Sequence, residues 1–158
     1  MSAGRPARRG RVAPFSFTFP VRFADVDHVG IVYYPRFYHY FHIAFEEFFR
    51  QRMGPSAYLD LLERRRIGFP AVHTECDYRA PLRFGDLVRV DMEISRLGGK
   101  SIRFHYQAIR AEGDSGPRGE VAAEGSVVCA ITDLAQFRAV PIPEDLRTLF
   151  LELVADPG

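Results

Sequence analysis

Apolar and polar residues begin to alternate at Phe15. Phe15, Phe17, Phe19, Val21 and Phe23 are separated by Ser16, Thr18, Pro20 and Arg22, the period-two pattern of a half-buried strand. Pro20 cannot donate to a ladder, which puts this strand at a sheet edge or at a bulge. Ala24–Gly30 is polar, ends on glycine and reads as a loop. The period then changes. Phe37, Tyr40, Phe41, Ala44, Phe45, Phe48 and Phe49 recur at alternating steps of three and one, the wide stripe of a buried amphipathic helix over Pro35–Arg52. Proline suits its first turn, where an N–H would be unpaired anyway, and Gly54-Pro55 ends it.

A shorter helix is expected over about Ser56–Arg66, stopping near Gly68, and a strand over Ala71–Arg79. Phe84-Gly85-Asp86 marks a turn. Val88, Val90, Met92 and Ile94 alternate with polar residues up to Gly98-Gly99, a pair that supplies the positive φ of a tight hairpin. Ile102–Ala108 is the return strand, Glu112–Gly119 a polar hairpin loop, Val121–Ile131 one long last strand and Pro143–Val154 a closing helix. Hairpin-length connections between successive strands favour an antiparallel sheet with the long helix covering one face, an α+β layout.

Composition narrows the class. The 158 residues make one domain, and 47% apolar content provides for a packed core. No run approaches the ~20 apolar residues of a membrane span, and no apolar stretch follows the basic N-terminus as in a secretory signal. Cys76 and Cys129 are too few for a disulfide scaffold or a four-thiolate metal site. Net charge is +1, but Arg5, Arg8, Arg9 and Arg11 crowd the first eleven residues. Without those four, the 21 basic residues fall to 17 against 20 acidic ones, a body of net −3. That is a poor nucleic-acid surface. The expectation is a soluble, cytoplasmic protein with a flexible basic tail over residues 1–13 and one domain over 14–158, engaging neither nucleic acid nor membrane.

The segment Asp25-Val26-Asp27-His28-Val29-Gly30-Ile31-Val32-Tyr33-Tyr34-Pro35 carries the candidate chemistry. Two carboxylates and a histidine lie in a loop that runs into a helix start. The unpaired N–H groups there and the helix dipole favour negative charge. Such donors can stabilise an oxyanion while a nearby carboxylate attacks a carbonyl or activates water. Equally, Asp25 and Asp27 would look the same if they only ended a strand and capped a turn. His39 and His42 have a metal-compatible spacing but no third ligand nearby, so no metal site is expected. His28 reads as lining a pocket mouth, and His73 and His105 as strand residues. No full Gly-x-x-x-x-Gly-Lys-Ser/Thr phosphate-binding loop occurs, since Ile94 stands where Gly99-Lys100-Ser101 would need the first glycine, and the absence of a Gly-x-Ser-x-Gly elbow disfavours a serine hydrolase.

The run Asp27–Pro35 resembles the N-terminal signature of the 4-hydroxybenzoyl-CoA thioesterase family of hotdog-fold acyl-CoA hydrolases. The likeness extends over about Phe17–Pro143 and includes Ile67-Gly68-Phe69-Pro70, Phe84-Gly85-Asp86, Lys100-Ser101 and Phe137-Arg138-Ala139-Val140-Pro141-Ile142-Pro143. It implies an antiparallel sheet wrapped around the long helix, and a homodimer or homotetramer with pockets between subunits. The implied reaction is hydrolysis of an acyl-CoA thioester to free acid and CoA, with coenzyme A as part of the substrate and no cofactor. By resemblance, Asp27 is the catalytic nucleophile or general base, the Tyr34 backbone N–H polarises the thioester carbonyl and Gly30 lets the backbone approach the acyl group. Lys100, Ser101 and Arg138 match positions that hold CoA phosphates. Lys100 is the single lysine of the chain. Phe37, Tyr38 and Phe69 make an aromatic or medium-size acyl group the expectation. His42 stands where the 4-hydroxybenzoyl enzyme has an acid, and Leu97-Gly98-Gly99 lacks that enzyme's extra basic residues. Two other readings stay open: a hotdog dehydratase, and a non-catalytic module binding acyl-CoA or an acyl carrier protein.

Overall fold

In a computed structural model, which describes residues 13–155, the aromatic stripe forms helix α1 over Arg36–Met53. Around it run β1 (Phe15–Pro20), α2 (Ala57–Glu63), β2 (Ile67–Gly68), β3 (Ala71–Tyr78), β4 (Leu87–Leu97) and β5 (Ser101–Glu112). The chain continues through β6 (Val121–Ala130), β7 (Thr132–Asp133), β8 (Arg138–Ala139) and α3 (Glu144–Leu151). The main sheet is antiparallel in the order β1-β4-β5-β6-β3, and a smaller one runs β2-β7-β8.

The sheet curls over α1 because both present rings. Phe41 stacks on Tyr106 at 4.8 Å, while Phe45 meets Phe104 and Phe48 meets Phe15 edge-on, each at 5.4 Å. Each such ring buried contributes roughly 1.5–3 kcal/mol. Gly125 makes the close approach possible: a Cβ there would stand 2.6 Å from the Glu75 carbonyl oxygen and 3.1 Å from the Phe41 ring.

The two sheet edges differ. β1 pairs with β4 only as far as Met92, and beyond it the C-terminal segment closes the edge, Ile94 N–H donating to Leu153 O at 2.7 Å. β3, by contrast, has β6 on one side only, and all its residues are exposed except the half-buried Cys76.

Four expectations change. Neither Gly98 nor Gly99 takes a positive φ at the β4–β5 hairpin. β1 stops at Pro20, and Phe23 is 79% exposed in a 3-10 turn, Phe23–Asp25, closed by Asp25 accepting the Arg22 N–H at 2.8 Å. The long last strand breaks after Ala130, because Ile131 N–H turns to Lys100 O and the chain enters the smaller sheet. The two-residue strands of that sheet are too short to show a period. The Glu112–Gly119 loop is anchored rather than freely solvated. The fully buried Arg110 reaches Ser115 (2.9 Å), Pro117 O (3.2 Å), Glu120 (2.5 Å) and Pro81 O, fastening the loop to the turn before β4. Apart from Ala13, the expected tail lies outside the described residues.

Candidate functional site

Between β1 and α1 the chain makes a miniature hairpin. Val26 bridges Val32, Asp27 N–H donates to Ile31 O at 3.1 Å and Tyr33 N–H to Asp25 O at 2.9 Å. Its turn is Asp27–Gly30, with Gly30 N–H on Asp27 O at 2.9 Å and Val29 N–H on Asp27 Oδ1 at 2.9 Å. Gly30 takes φ 88°, a left-handed conformation open to glycine at little cost. A Cβ there would meet nothing within 4 Å, so this glycine serves the turn's conformation rather than a close approach within the chain.

Asp27 is exposed, with Oδ1 held and Oδ2 unengaged among the described residues. His28 beside it is exposed as well. At the start of α1, the N–H groups of Arg36, Phe37 and Tyr38 are taken by Tyr33, Tyr34 and Pro35 carbonyls at 2.8, 3.3 and 3.2 Å. Pro35 has no N–H. Among the described residues the Tyr34 N–H finds no acceptor, and it stands at the positive end of an 18-residue helix.

Asp25 does not share this role. Its buried carboxylate accepts from Arg22 N–H and from the Tyr40 hydroxyl at 2.9 Å, and Arg36 Nε lies 3.7 Å away. Burial first, then the Asp25 hydrogen bond, pushes the Tyr40 phenol far above its ordinary pKa. Of the two carboxylates, one is thus a buried anchor and one an exposed group.

The remaining predicted residues lie at the other end of the sheet. The Asp27 hairpin leaves β1 beside Leu87 and is tied there by Val32 N–H on Leu82 O at 2.8 Å. Lys100 and Ser101 follow the far end of β4, ten residues away, about 33 Å at strand rise. Both are exposed, as is Arg138 on β8. Lys100 O accepts from Ile131 and Gly99 O from Ile142, at 2.9 and 3.0 Å, so the hairpin and the smaller sheet form one unit. Within one chain, then, Asp27 and Tyr34 come together and Lys100, Ser101 and Arg138 do not join them.

The sequence profile of the thioesterase-like superfamily matches residues 21–150. The chain belongs to that superfamily. This is broader than the 4-hydroxybenzoyl-CoA family whose motifs it resembles. The protein is 28% identical over 139 residues to the acyl-CoA thioesterase YbgC of Haemophilus influenzae, spanning 87% of this chain and 96% of the relative. It is 26% identical over 145 residues to the 1,4-dihydroxy-2-naphthoyl-CoA hydrolase of Synechococcus elongatus, spanning 92% and 100%. Among solved structures, the gentisyl-coenzyme A thioesterase BH1999 superposes with a TM-score of 0.70 at 30% identity, over 84% of this chain and 98% of that one. The 1,4-dihydroxy-2-naphthoyl-CoA thioesterase Slr0204 of Synechocystis reaches 0.76 at 22% identity, over 88% and 96%, a likeness of the hotdog fold.

In this thioesterase-like protein an aromatic cluster gathers the rings of Tyr34, Phe37 and Tyr78 at the start of α1. Tyr78 on the open edge strand lies 6.0 Å from Tyr34 and 5.6 Å from Phe37, ring to ring. Tyr78 was legible only as the last of the alternating residues Val72, Thr74, Cys76 and Tyr78. Phe69, expected near the site, instead packs at the other half of α1 against Phe45 (5.6 Å) and Phe150 (5.9 Å), because β2 crosses there. His42 is exposed and pairs with Glu46 at 3.4 Å, and His105 lies between Glu93 (3.4 Å) and Glu124 (2.9 Å) on the outer sheet face. Among the described residues no group of three or more potential ligands could hold a metal ion, and no helix is long and apolar enough to cross a membrane.

Proposed function

We propose that this protein hydrolyses an acyl-CoA thioester to a free acid and coenzyme A, with Asp27 as the reacting carboxylate and the Tyr34 N–H as oxyanion donor. Membership of the superfamily supports the reaction class. One observation carries the assignment of residues: an unengaged carboxylate oxygen and an unengaged helix-start N–H flank one hairpin. The thioester oxygen accepts from Tyr34, whose donor is fixed before substrate arrives and is not spent on the helix. Asp27 Oδ2 then adds to the carbonyl carbon, or takes a proton from a water that does. The C–S bond breaks and the thiolate leaves with a proton. In the direct route the attacking water supplies the acid's new oxygen, whereas attack by Asp27 leaves an acyl–Asp27 anhydride that water then opens at the Asp27 carboxyl carbon. Single turnover in 18O-water separates these two routes, since the label enters the acid in the first and Asp27 in the second, where the acid carries off an Asp27 oxygen.

The open edge of β3 supports a homodimer. Two copies joined antiparallel through β3 would bring Ala71 of one beside Tyr78 of the other. The Asp27 and Tyr34 end of each chain then faces the partner's Lys100, Ser101 and Arg138 end, so the two half-sites meet only across copies. Tyr34, Phe37 and Tyr78 support an aromatic acyl group, whose ring their edges and faces would contact.

Thiol release from a panel of acyl-CoAs, from acetyl to palmitoyl with benzoyl, hydroxybenzoyl and phenylacetyl, tests the reading. Turnover that peaks on the aromatic members and is lost in Asp27→Asn is expected. A flat background across the panel, unchanged by that substitution, would remove it.

A further inference from the structure

Arg110 continues the inward-facing series Ile102, Phe104, Tyr106 and Ala108 of β5, so a guanidinium stands where the alternation calls for an apolar side chain. It is fully buried. A buried charge held by partners adds little net stability over an apolar residue of the same shape, and what it fixes is one geometry. The geometry fixed here is that of the segment Pro81–Asp86, whose turn closes with Asp86 N–H on Arg83 O at 3.0 Å. Arg110 donates to Pro81 O at the start of the segment, and its Nε lies 3.8 Å from Asp86 Oδ2 at the end. The Asp86 side chain, buried as well, accepts the Arg83 N–H at 2.9 Å and the Ser115 hydroxyl. The β5–β6 loop closes tightly over the pair. A Cβ on Gly113 would overlap Asp86 Oδ1, and one on Gly116 would stand 2.5 Å from Arg110 Nη1.

That segment holds the Asp27 hairpin at both roots. Ahead of the hairpin, Val21 N–H donates to Asp86 O at 2.8 Å, and behind it Val32 N–H donates to Leu82 O at 2.8 Å. Val32 is two residues from Tyr34, and Tyr33 between them is bonded back to Asp25 O. The path from the guanidinium to the Tyr34 N–H therefore runs through Pro81, Leu82 and Val32, by main-chain atoms throughout.

We propose that Arg110 is a positioning residue for the hydrolysis: by fixing Pro81–Asp86 it sets the Tyr34 N–H in register with the Asp27 carboxylate. The proposal rests on the reading of Asp27 and Tyr34 given above. An oxyanion donor works only where it is aimed before the substrate arrives, and a misplacement of about 1 Å can cost about 10²-fold in rate.

Two variants test it. Arg110→Lys keeps the charge but loses the fork that reaches several acceptors at once. Ser115→Ala is the gentler change, removing a partner shared by Arg110 and Asp86 while Arg110 keeps Glu120. Thiol release is measured well below the melting temperature of each variant. Arg110→Lys should lower kcat by about 10- to 100-fold and Ser115→Ala by about threefold, with KM within about twofold of wild type in both. Wild-type kcat in the folded variants overturns the proposal, and so does a rise in KM with kcat unchanged. Amide hydrogen exchange reads the same link without turnover. The Val32 N–H should exchange about tenfold faster in Arg110→Lys, and detectably faster in Ser115→Ala, while amides in the middle of β4 and β5 keep their wild-type rates. Equal exchange at Val32 overturns the proposal, as does a uniform rise across the sheet, which marks Arg110 as a support of the whole fold. Faster exchange confined to the hairpin, in a protein that releases no thiol from any acyl-CoA, supports the positioning and removes only the hydrolytic reading.

Discussion

The hydroxyl of Tyr40, in the second turn of α1, donates to the buried Asp25 carboxylate at 2.9 Å. Through Asp25 the helix holds both arms of the hairpin: its carboxylate takes the Arg22 N–H and its carbonyl takes the Tyr33 N–H, next to Tyr34. Tyr40→Phe removes the donor and leaves a buried carboxylate short of a partner. Urea unfolding should show a loss of about 1–3 kcal/mol. Thiol release should show kcat falling severalfold, since the arm bearing Tyr34 loosens. Unchanged turnover in a destabilised variant would make this clamp structural only.

Asp27→Asn should lower kcat by about 10²–10⁴-fold, the usual contribution of a positioned acid–base group. Its amide oxygen can still accept the Val29 N–H, so the turn keeps its geometry. Matching melting curves for wild type and variant would show that chemistry, not folding, was lost.

Gly125→Ala puts a methyl 2.6 Å from the Glu75 carbonyl, a backbone atom that cannot swing aside. β3 must move off β6, and the expected cost is about 1–3 kcal/mol. If β3 also joins two copies, sedimentation should show a weaker dimer in the same variant. An unchanged melting temperature would contradict the packing described here.

Burial pushes the Cys76 thiol up to about 11 and the Cys129 thiol to about 12. The thiolate is the reactive form, so both should be almost silent toward a disulfide reagent at pH 8. Two thiols should appear on unfolding in guanidinium. Fast labelling of the native protein would contradict the burial of these groups.

The Arg65 hydrogen bond holds Asp145 below its ordinary value of 3.8. A depressed carboxylate stabilises the folded state fully above the unfolded value and loses that contribution as pH falls through the folded one. The stability gap between wild type and Asp145→Asn should therefore be constant at neutral pH and close below about 3.8. Both side chains are well exposed, so the gap is small and shrinks further in salt.

Where burial sets the residue pattern, the pattern reads out directly. The steps of three and one from Phe37 to Phe49 fix α1, and the alternation from Val88 to Ile94 fixes β4, because each has one face against a shared core. Short elements escape such reading. β2, β7 and β8 are held by backbone bonds between distant segments and leave no period behind. The same limit applies to the site. The Asp27–Gly30 turn is legible as a local motif, whereas the partnership of Asp25 with Tyr40, fifteen residues apart, depends on the helix folding back over the hairpin. Nor can spacing tell that Lys100 and Asp27 lie at opposite ends of the sheet.

The strand order carries a consequence for how the chain assembles in time. β4, β5 and β6 are neighbours both in sequence and in the sheet, so their meander closes only short loops. β1 joins β4 across more than sixty residues, pairing Pro20 with Leu87, and β3 joins β6 across about fifty, pairing Cys76 with Gly125. The meander should therefore form the folding nucleus, with β1 docking late. The hairpin bearing Asp27 is framed by β1 on one side and α1 on the other, so it takes shape only at that last step. Catalytic competence would thus report completed folding more faithfully than any spectroscopic signal from the sheet.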